Sequence, residues 1–286
     1  MFKSYCKYLV VLFLGFFFAG LTLSCSQSKE RQSKKPVVIV SVLPQSFFVR
    51  EIAGDAFDVQ VLLPPFANHD TYEPSIEQMK LIYSAKAYIK VGHPNLTFET
   101  IWLDRLVKDN KDIVIVDTSK GVELMDGDPH TWLSPKCVRT ATSEIAGALS
   151  QLQPENAELF AANLKGFLSK IDHLDRNIKR ILESKSDKKK FFVFHPAWGY
   201  FANDYGLEQV AIEHDHKEPG PNELIQVIEH ARKEGAKMIF VQPQFSSASA
   251  EVLASELDAK VVIIDPMAFD WLKNLEKFSL ALASAL

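Results

Sequence analysis

Cysteine is scarce in this chain: three in 286 residues, at positions 6, 25 and 137. Positive charge is in no surplus either. Lys and Arg number 32 against 36 Asp and Glu, a net charge of −4, which argues against a nucleic-acid partner. Several enzyme signatures are missing: the sequence has no His-Glu-x-x-His, no Gly-x-Ser-x-Gly and no phosphate-binding glycine loop. There is no internal repeat, and no low-complexity segment beyond one short polar stretch near the N-terminus. What remains is 47% hydrophobic and 24% charged, the balance of a soluble globular protein long enough for two compact domains.

The first 25 residues depart from that balance. Lys3 and Lys7 precede an almost wholly apolar run from Leu9 to Leu23, short for a bilayer span and suited to a signal-peptide core. It ends in Leu21-Thr22-Leu23-Ser24-Cys25, which resembles the lipobox at which bacterial lipoproteins are cleaved and acylated. The aliphatic residue usual three places before the cysteine is replaced by Thr22, with Leu21 one step further back. An ordinary secreted protein or an uncleaved anchor helix are the alternatives. The expectation is a signal peptide over 1–24 and a polar tether over 25–35, lipidated at Cys25. This puts the chain outside the cytoplasm, anchored in the cell envelope or in the periplasm. Cys6 leaves with the signal and Cys25 carries lipid, so Cys137 stands alone and no disulfide forms in the mature chain. Cleavage removes two lysines and no acid, leaving 30 basic against 36 acidic residues, a mild bias that suits cation capture.

From Pro36 onward short β-branched runs alternate with helical patterns, the signature of α/β architecture with mainly parallel sheets. Strands are predicted near Val37–Val42, Val59–Leu63, Ala87–Val91 and Ile113–Val116. A second set falls near Phe191–Phe194, Gln209–Ile212, Met238–Val241 and Val261–Ile264. Helices between them include Ser75–Ala85, Phe98–Val107, Pro135–Leu152, Pro221–Glu234 and Ser247–Leu257. Between the halves, Leu159, Leu164, Phe167, Leu168, Ile171, Leu174, Ile178 and Ile181 recur at helical spacing, with Pro154 in the first turn. The fold class predicted is therefore α/β with two lobes, 36–153 and 187–286, each with a four-stranded mainly parallel sheet. One long helix over 154–186 bridges them.

Ligands of open parallel sheets gather beyond the carboxyl ends of the strands. Four polar residues follow such ends. His69 comes after the second strand, His130 after the fourth, His195 after the fifth and Asp265 after the eighth. Three of the four adjoin a proline that stiffens the local backbone. Each alone reads as readily as a loop histidine or a turn-initiating aspartate. Together, two from each lobe, three imidazoles and a carboxylate form a complete tetrahedral set for Zn²⁺.

The segments carrying them are His69-Asp70-Thr71-Tyr72-Glu73-Pro74, Asp128-Pro129-His130-Thr131-Trp132-Leu133-Ser134-Pro135, Phe194-His195-Pro196-Ala197-Trp198-Gly199-Tyr200-Phe201 and Asp265-Pro266. In order and spacing they resemble the motifs of the zinc/manganese solute-binding proteins of ABC importers, and the likeness runs from about Pro36 to the C-terminus. The resemblance implies two α/β lobes bridged by a long helix and a metal between them. It implies His69, His130, His195 and Asp265 as ligands, an ABC permease as partner, a monomer, and no enzymatic activity. Members similar to the manganese binders place glutamate where this chain has His195, so zinc is the expected cargo, with Mn²⁺ or Fe²⁺ the alternatives. Imidazole-rich sites favour zinc and oxygen-rich ones manganese; copper and nickel would also accept three histidines. The long histidine- and acid-rich loop of many zinc-specific relatives is absent, since 117–129 holds no histidine.

Tyr72, Glu73, Trp132 and Trp198 are read as shaping the site, with plain packing the equal alternative. His214 and His216 read as solvated, a second weak metal site being the other reading; His93, His173 and His230 read as structural or surface-exposed. A zinc hydrolase is a rival, but four protein ligands leave no open position for water. A haem or metal-chelate receptor and an additional adhesin role are the other rivals.

Overall fold

A computed structural model describes residues 35–64, 67, 72–108, 110–183, 189–212, 221–233, 235–243, 252, 255–257 and 259–286. The elements of the first half are β1 (Val37–Val40), α1 (Leu43–Ala53), β2 (Asp58–Val61), α2 (Ile76–Ser84), β3 (Ala87–Lys90), α3 (Thr97–Val107) and β4 (Val114–Asp117). Then come α4 (Pro135–Leu152) and α5 (Ala157–Glu183). The second half holds β5 (Lys190–Val193), α6 (Gly199–Tyr205), β6 (Glu208–Ala211), α7 (Pro221–Lys233), β7 (Met238–Val241), β8 (Lys260–Ile263) and α8 (Trp271–Ala285).

All pairings are parallel, in two sheets of order β2-β1-β3-β4 and β6-β5-β7-β8. Strand direction of growth reverses between β1 and β3 and again between β5 and β7, so each lobe has one switch point beyond its strand ends. The central strands are short apolar runs, such as Val37-Val38-Ile39-Val40 and Met238-Ile239-Phe240-Val241, buried on both faces as parallel sheets require. The edge strands β2 and β8 are only half-buried. The eight predicted strands are present, each within two residues of its expected bounds.

The bridging helix is α5, 27 residues and about 40 Å long at 1.5 Å per residue. Its buried face is Phe160, Phe167, Ile171, Leu174, Ile178 and Leu182, set against α1, α4 and α8. The expected stripe is corrected at its start. Leu159 is exposed and Phe160 takes its place, because Phe160 and Phe167 are seven residues apart while Leu159 lies about 100° off that line. Three helices were not predicted: α1, α6 and α8. The predicted helix Ser247–Leu257 and the His214–His216 pair fall largely or wholly outside the described residues.

Aromatic side chains lock the two lobes to the bridge. Phe48 of α1, Phe167 of α5 and Trp271 of α8 are all fully buried, with Phe48 edge-on to Trp271 at 5.4 Å and tilted on Phe167 at 6.0 Å. On the other side of α8, Phe278 stacks on Trp198 at 3.6 Å and meets Phe201 and Phe240 at 5.0 and 5.2 Å. Burying such rings supplies about 1.5–3 kcal/mol each.

At the first switch point a carboxylate lies underneath the strand ends. Oε1 of Glu99 accepts from the Val91 amide at 2.7 Å and from the Ser41 hydroxyl, and Oε2 accepts from the Gly92 amide at 2.8 Å. Burial nevertheless pushes its pKa up to about 7, against those bonds and Lys90. The folded chain thus keeps a proton that the unfolded chain releases at ordinary carboxylate pH, so stability falls as pH rises from about 4.5 to about 7 and levels off above. In urea titrations the wild type should lose about 2 kcal/mol relative to Glu99→Gln between pH 5 and 7.5. Parallel pH profiles for the two proteins would refute the assignment.

Candidate metal centre

His130 and His195 come from opposite lobes and meet. Their Nε2 atoms are 3.3 Å apart, their ring planes 80° to one another, and both are buried at 2% and 8% exposure. Local chain chemistry puts each there. His195 follows β5 by two residues, and the Phe194 amide still bonds to the β7 carbonyl of Phe240 before the chain turns. His130 sits at the start of a single 3₁₀ turn, Thr131–Leu133, that runs into Ser134, whose hydroxyl caps α4 at the Cys137 amide.

Asp128 orients His130. Its Oδ1 accepts from the His130 amide at 2.9 Å and lies 2.7 Å from Nδ1. A proton on Nδ1 donated to this carboxylate leaves the lone pair on Nε2, the atom that faces His195. The separation of the two Nε2 atoms also fits a metal. Two nitrogens bound to tetrahedral zinc at about 2.05 Å lie about 3.3 Å apart. Without the ion, one imidazole N–H donating to the other satisfies the same distance.

Asp265 lies two residues past β8 and is half-buried. Its Oδ1 accepts from the Met267 amide at 2.9 Å, and its carbonyl accepts from Asn274 Nδ2 at 2.7 Å. Its loop is joined to the His130 turn by two indoles: Trp132 Nε1 donates to Pro266 O at 2.9 Å, and Trp271 Nε1 donates to Trp132 O. His69 lies outside the described residues. Among the described residues no group of three or more His, Cys, Asp or Glu stands together as a metal cluster; the described centre is the histidine pair.

The supporting residues fare differently. Trp132 packs edge-on to the His130 ring at 5.1 Å. Trp198 lies in the second-lobe core on Phe278, with its backbone amide donating to Gln209. Tyr72 is half-buried and donates to Gln78, while Glu73 is exposed. His93 is buried between Met125 O and the Asn95 amide, a structural role, and His173 is exposed. Cys137 is a buried free thiol pushed up to about 11 by burial, and so inert.

Two residues that matter here were not singled out from sequence. Asp128 was inside a recognised run, and its role was implicit in an Asp two places before a histidine. Gln78 ties both ends of the segment that carries His69: Nε2 donates to Leu62 O at 2.6 Å, and Oε1 accepts from the Ser75 amide and from Tyr72. The Ser75-x-x-Gln78 capping box was its visible signal.

Two parallel α/β lobes on one rigid helix, with imidazoles from both lobes meeting between them, are the architecture of a cleft-type solute-binding protein. The family described as zinc-uptake complex component A, periplasmic (ZnuA), matches residues 38–285, and the chain belongs to it. It is 28% identical over 267 residues to the high-affinity zinc uptake system protein ZnuA of Bacillus subtilis (strain 168), covering 85% of this chain and 82% of that one. It is 27% identical over 281 residues to the zinc-binding lipoprotein AdcA of Streptococcus pneumoniae (strain ATCC BAA-255 / R6), covering 90% of this chain and 55% of that one. Among solved structures, a crystal structure of ZnuA matches with TM-score 0.81 and 37% identity, over 88% of this chain and 99% of that chain. The Zn(II)-bound ZnuA-like domain of Streptococcus pneumoniae AdcA matches with TM-score 0.75 and 26% identity, over 88% and 98%.

Because Trp132 O is buried and receives the Trp271 indole, Trp271→Phe leaves a carbonyl without its donor inside the core. The loss expected in urea unfolding is about 1–3 kcal/mol; an unchanged midpoint would mean that this bond does not help hold the lobes.

Proposed function

We propose that this chain is the extracytoplasmic receptor of a zinc importer: it captures one Zn²⁺ between its lobes and delivers it to an ABC permease. The observation that carries this reading is the pair of buried Nε2 atoms 3.3 Å apart, one from each lobe, in a chain of the zinc-uptake family. His69, His130, His195 and Asp265 are the proposed ligands. Three imidazoles and one carboxylate favour zinc over manganese or iron, which prefer more oxygen. Four protein ligands would close the coordination sphere, as befits carriage without catalysis. The signal peptide over 1–24, the lipid on Cys25 and the tether to residue 35 belong to the same reading. So do lobes over 36–153 and 187–286, a bridge over 154–186, and action as a monomer. Among the described residues no helix is long and apolar enough to cross a membrane.

Capture has a defined proton balance. In the apo pair one Nε2–H donates to the other Nε2; zinc needs both lone pairs, so the donating ring passes to the tautomer with its proton on Nδ1 and no net proton is released. Release reverses the exchange, on docking to the permease or on acidification.

The test strips the chain beginning at Ser26 and offers it zinc, manganese, iron and copper in competition. One zinc per chain is expected. His195→Ala and Asp265→Ala should each weaken it by more than the roughly 10–100-fold typical of residues that only support a ligand. A manganese preference would keep the receptor and change its cargo. No stoichiometric metal, or variants that bind like wild type, would reject the site.

A further inference from the structure

The carboxylate that orients His130 has a second oxygen with unusual surroundings. Asp128 Oδ2 is buried and has no hydrogen-bond partner among the described residues. It rests against Gly199, the first residue of α6 in the opposite lobe, where a Cβ would lie 2.3 Å from it and 3.6 Å from the Met125 Cε. The neighbouring contact fixes this approach. The Tyr200 hydroxyl, one residue on, accepts from the Met125 amide at 2.7 Å, and Met125 O is held by His93 at 2.9 Å. The loop carrying Asp128 therefore cannot retreat from α6 without breaking bonds on both sides.

Nor can the carboxylate simply turn aside. Its two oxygens form one rigid fork, and Oδ1 is engaged by the His130 amide and Nδ1. Any rotation that takes Oδ2 clear of a methyl group at 199 carries Oδ1 off the imidazole. The backbone of Gly199 itself has no positive φ, so nothing in its conformation demands glycine. A glycine at a position with ordinary dihedrals early in a helix is replaced by Ala with a small gain in stability unless a neighbour objects. Here the neighbour is Asp128.

We propose that Gly199 is a positioning residue for His130: the missing side chain in one lobe is the space in which Asp128 of the other lobe holds the imidazole for zinc. This rests on the zinc-receptor reading and deepens it. It makes metal affinity depend on how closely α6 docks against the 125–130 loop, so the two lobes are coupled through a backbone contact as well as through the ion.

The test is a double-mutant cycle in the full-length chain, with zinc affinity measured by chelator competition and apo stability by urea unfolding. Gly199→Ala should weaken zinc about 10–100-fold, the usual effect of losing a partner that orients a histidine ligand. Asp128→Ala should weaken it similarly. In Asp128→Ala/Gly199→Ala the methyl has nothing to displace, so the second change should add no further loss. Long-range ¹H–¹⁵N spectra of apo Gly199→Ala should also show His130 no longer fixed with its proton on Nδ1. Wild-type affinity in Gly199→Ala, or losses that add in the double variant, would overturn the proposal while leaving the receptor reading intact. If Gly199→Ala alone does not fold, Asp128→Ala against the double variant decides: equal affinities support the coupling, a further loss overturns it. A wild type that binds no zinc would instead remove the reading beneath it.

Discussion

Everything about the candidate site depends on two indoles exchanged between the lobes. Trp132, two residues past His130, donates to the carbonyl one residue past Asp265; Trp271, at the start of α8, donates back to the carbonyl of Trp132. Both rings are buried, and Trp271 also closes the aromatic cluster with Phe48 and Phe167. The same residues thus carry hydrophobic packing between α1, α5 and α8 and fix the two loops from which a metal would be held. Buried indole N–H groups need acceptors, and here each acceptor is a backbone carbonyl of a site loop.

Further ties fall around this pair. Tyr200 meets Met125, Ser134 meets Asp204, and Tyr205 of α6 meets Asp175 of the bridge at 3.0 Å. Burial raises the Asp204 carboxyl, with the Ser134 bond opposing it. These bonds join the first half to the second, and the second to the bridge. The architecture is that of two sheets packed on one helix, with the candidate site in loops beyond the strand ends. This is where loop-borne ligands on a rigid scaffold are expected to do their work.

Much of this was legible in the residues. Central parallel strands are short apolar runs bounded by turns, so Met238–Val241 and its neighbours stand out, and a 27-residue stripe without strand signals announces the bridge. The helix α1 was hidden because Leu43-Pro44-Gln45-Ser46-Phe47-Phe48-Val49 is parted from β1 by only two residues and merges with it into one apolar stretch. The seven-residue α6 is too short for periodicity to register. For the site, His130 and His195 could be chosen because they follow strand ends. That Asp128 abuts Gly199 could not, since the two lie 71 positions apart in sequence, and the contact is made by an atom with no hydrogen-bond partner among the described residues and by a residue with no side chain.

A receptor of this family must also let its ion go. If His130 and His195 hold that ion as proposed, the imidazole pair must also stand without it. Two lone pairs 3.3 Å apart in a buried setting would repel if both stayed unprotonated. One proton between them converts that repulsion into a hydrogen bond of ordinary length without moving either ring. The geometry that fits zinc therefore also fits its absence, with a proton standing in for the metal. Asp128 Oδ1 lies 2.7 Å from the other nitrogen of His130, which leaves a single atom, Nε2, to face His195. On the proposed ligand set, exchange would then be a substitution between two imidazoles already in place instead of a rebuilding of the cleft.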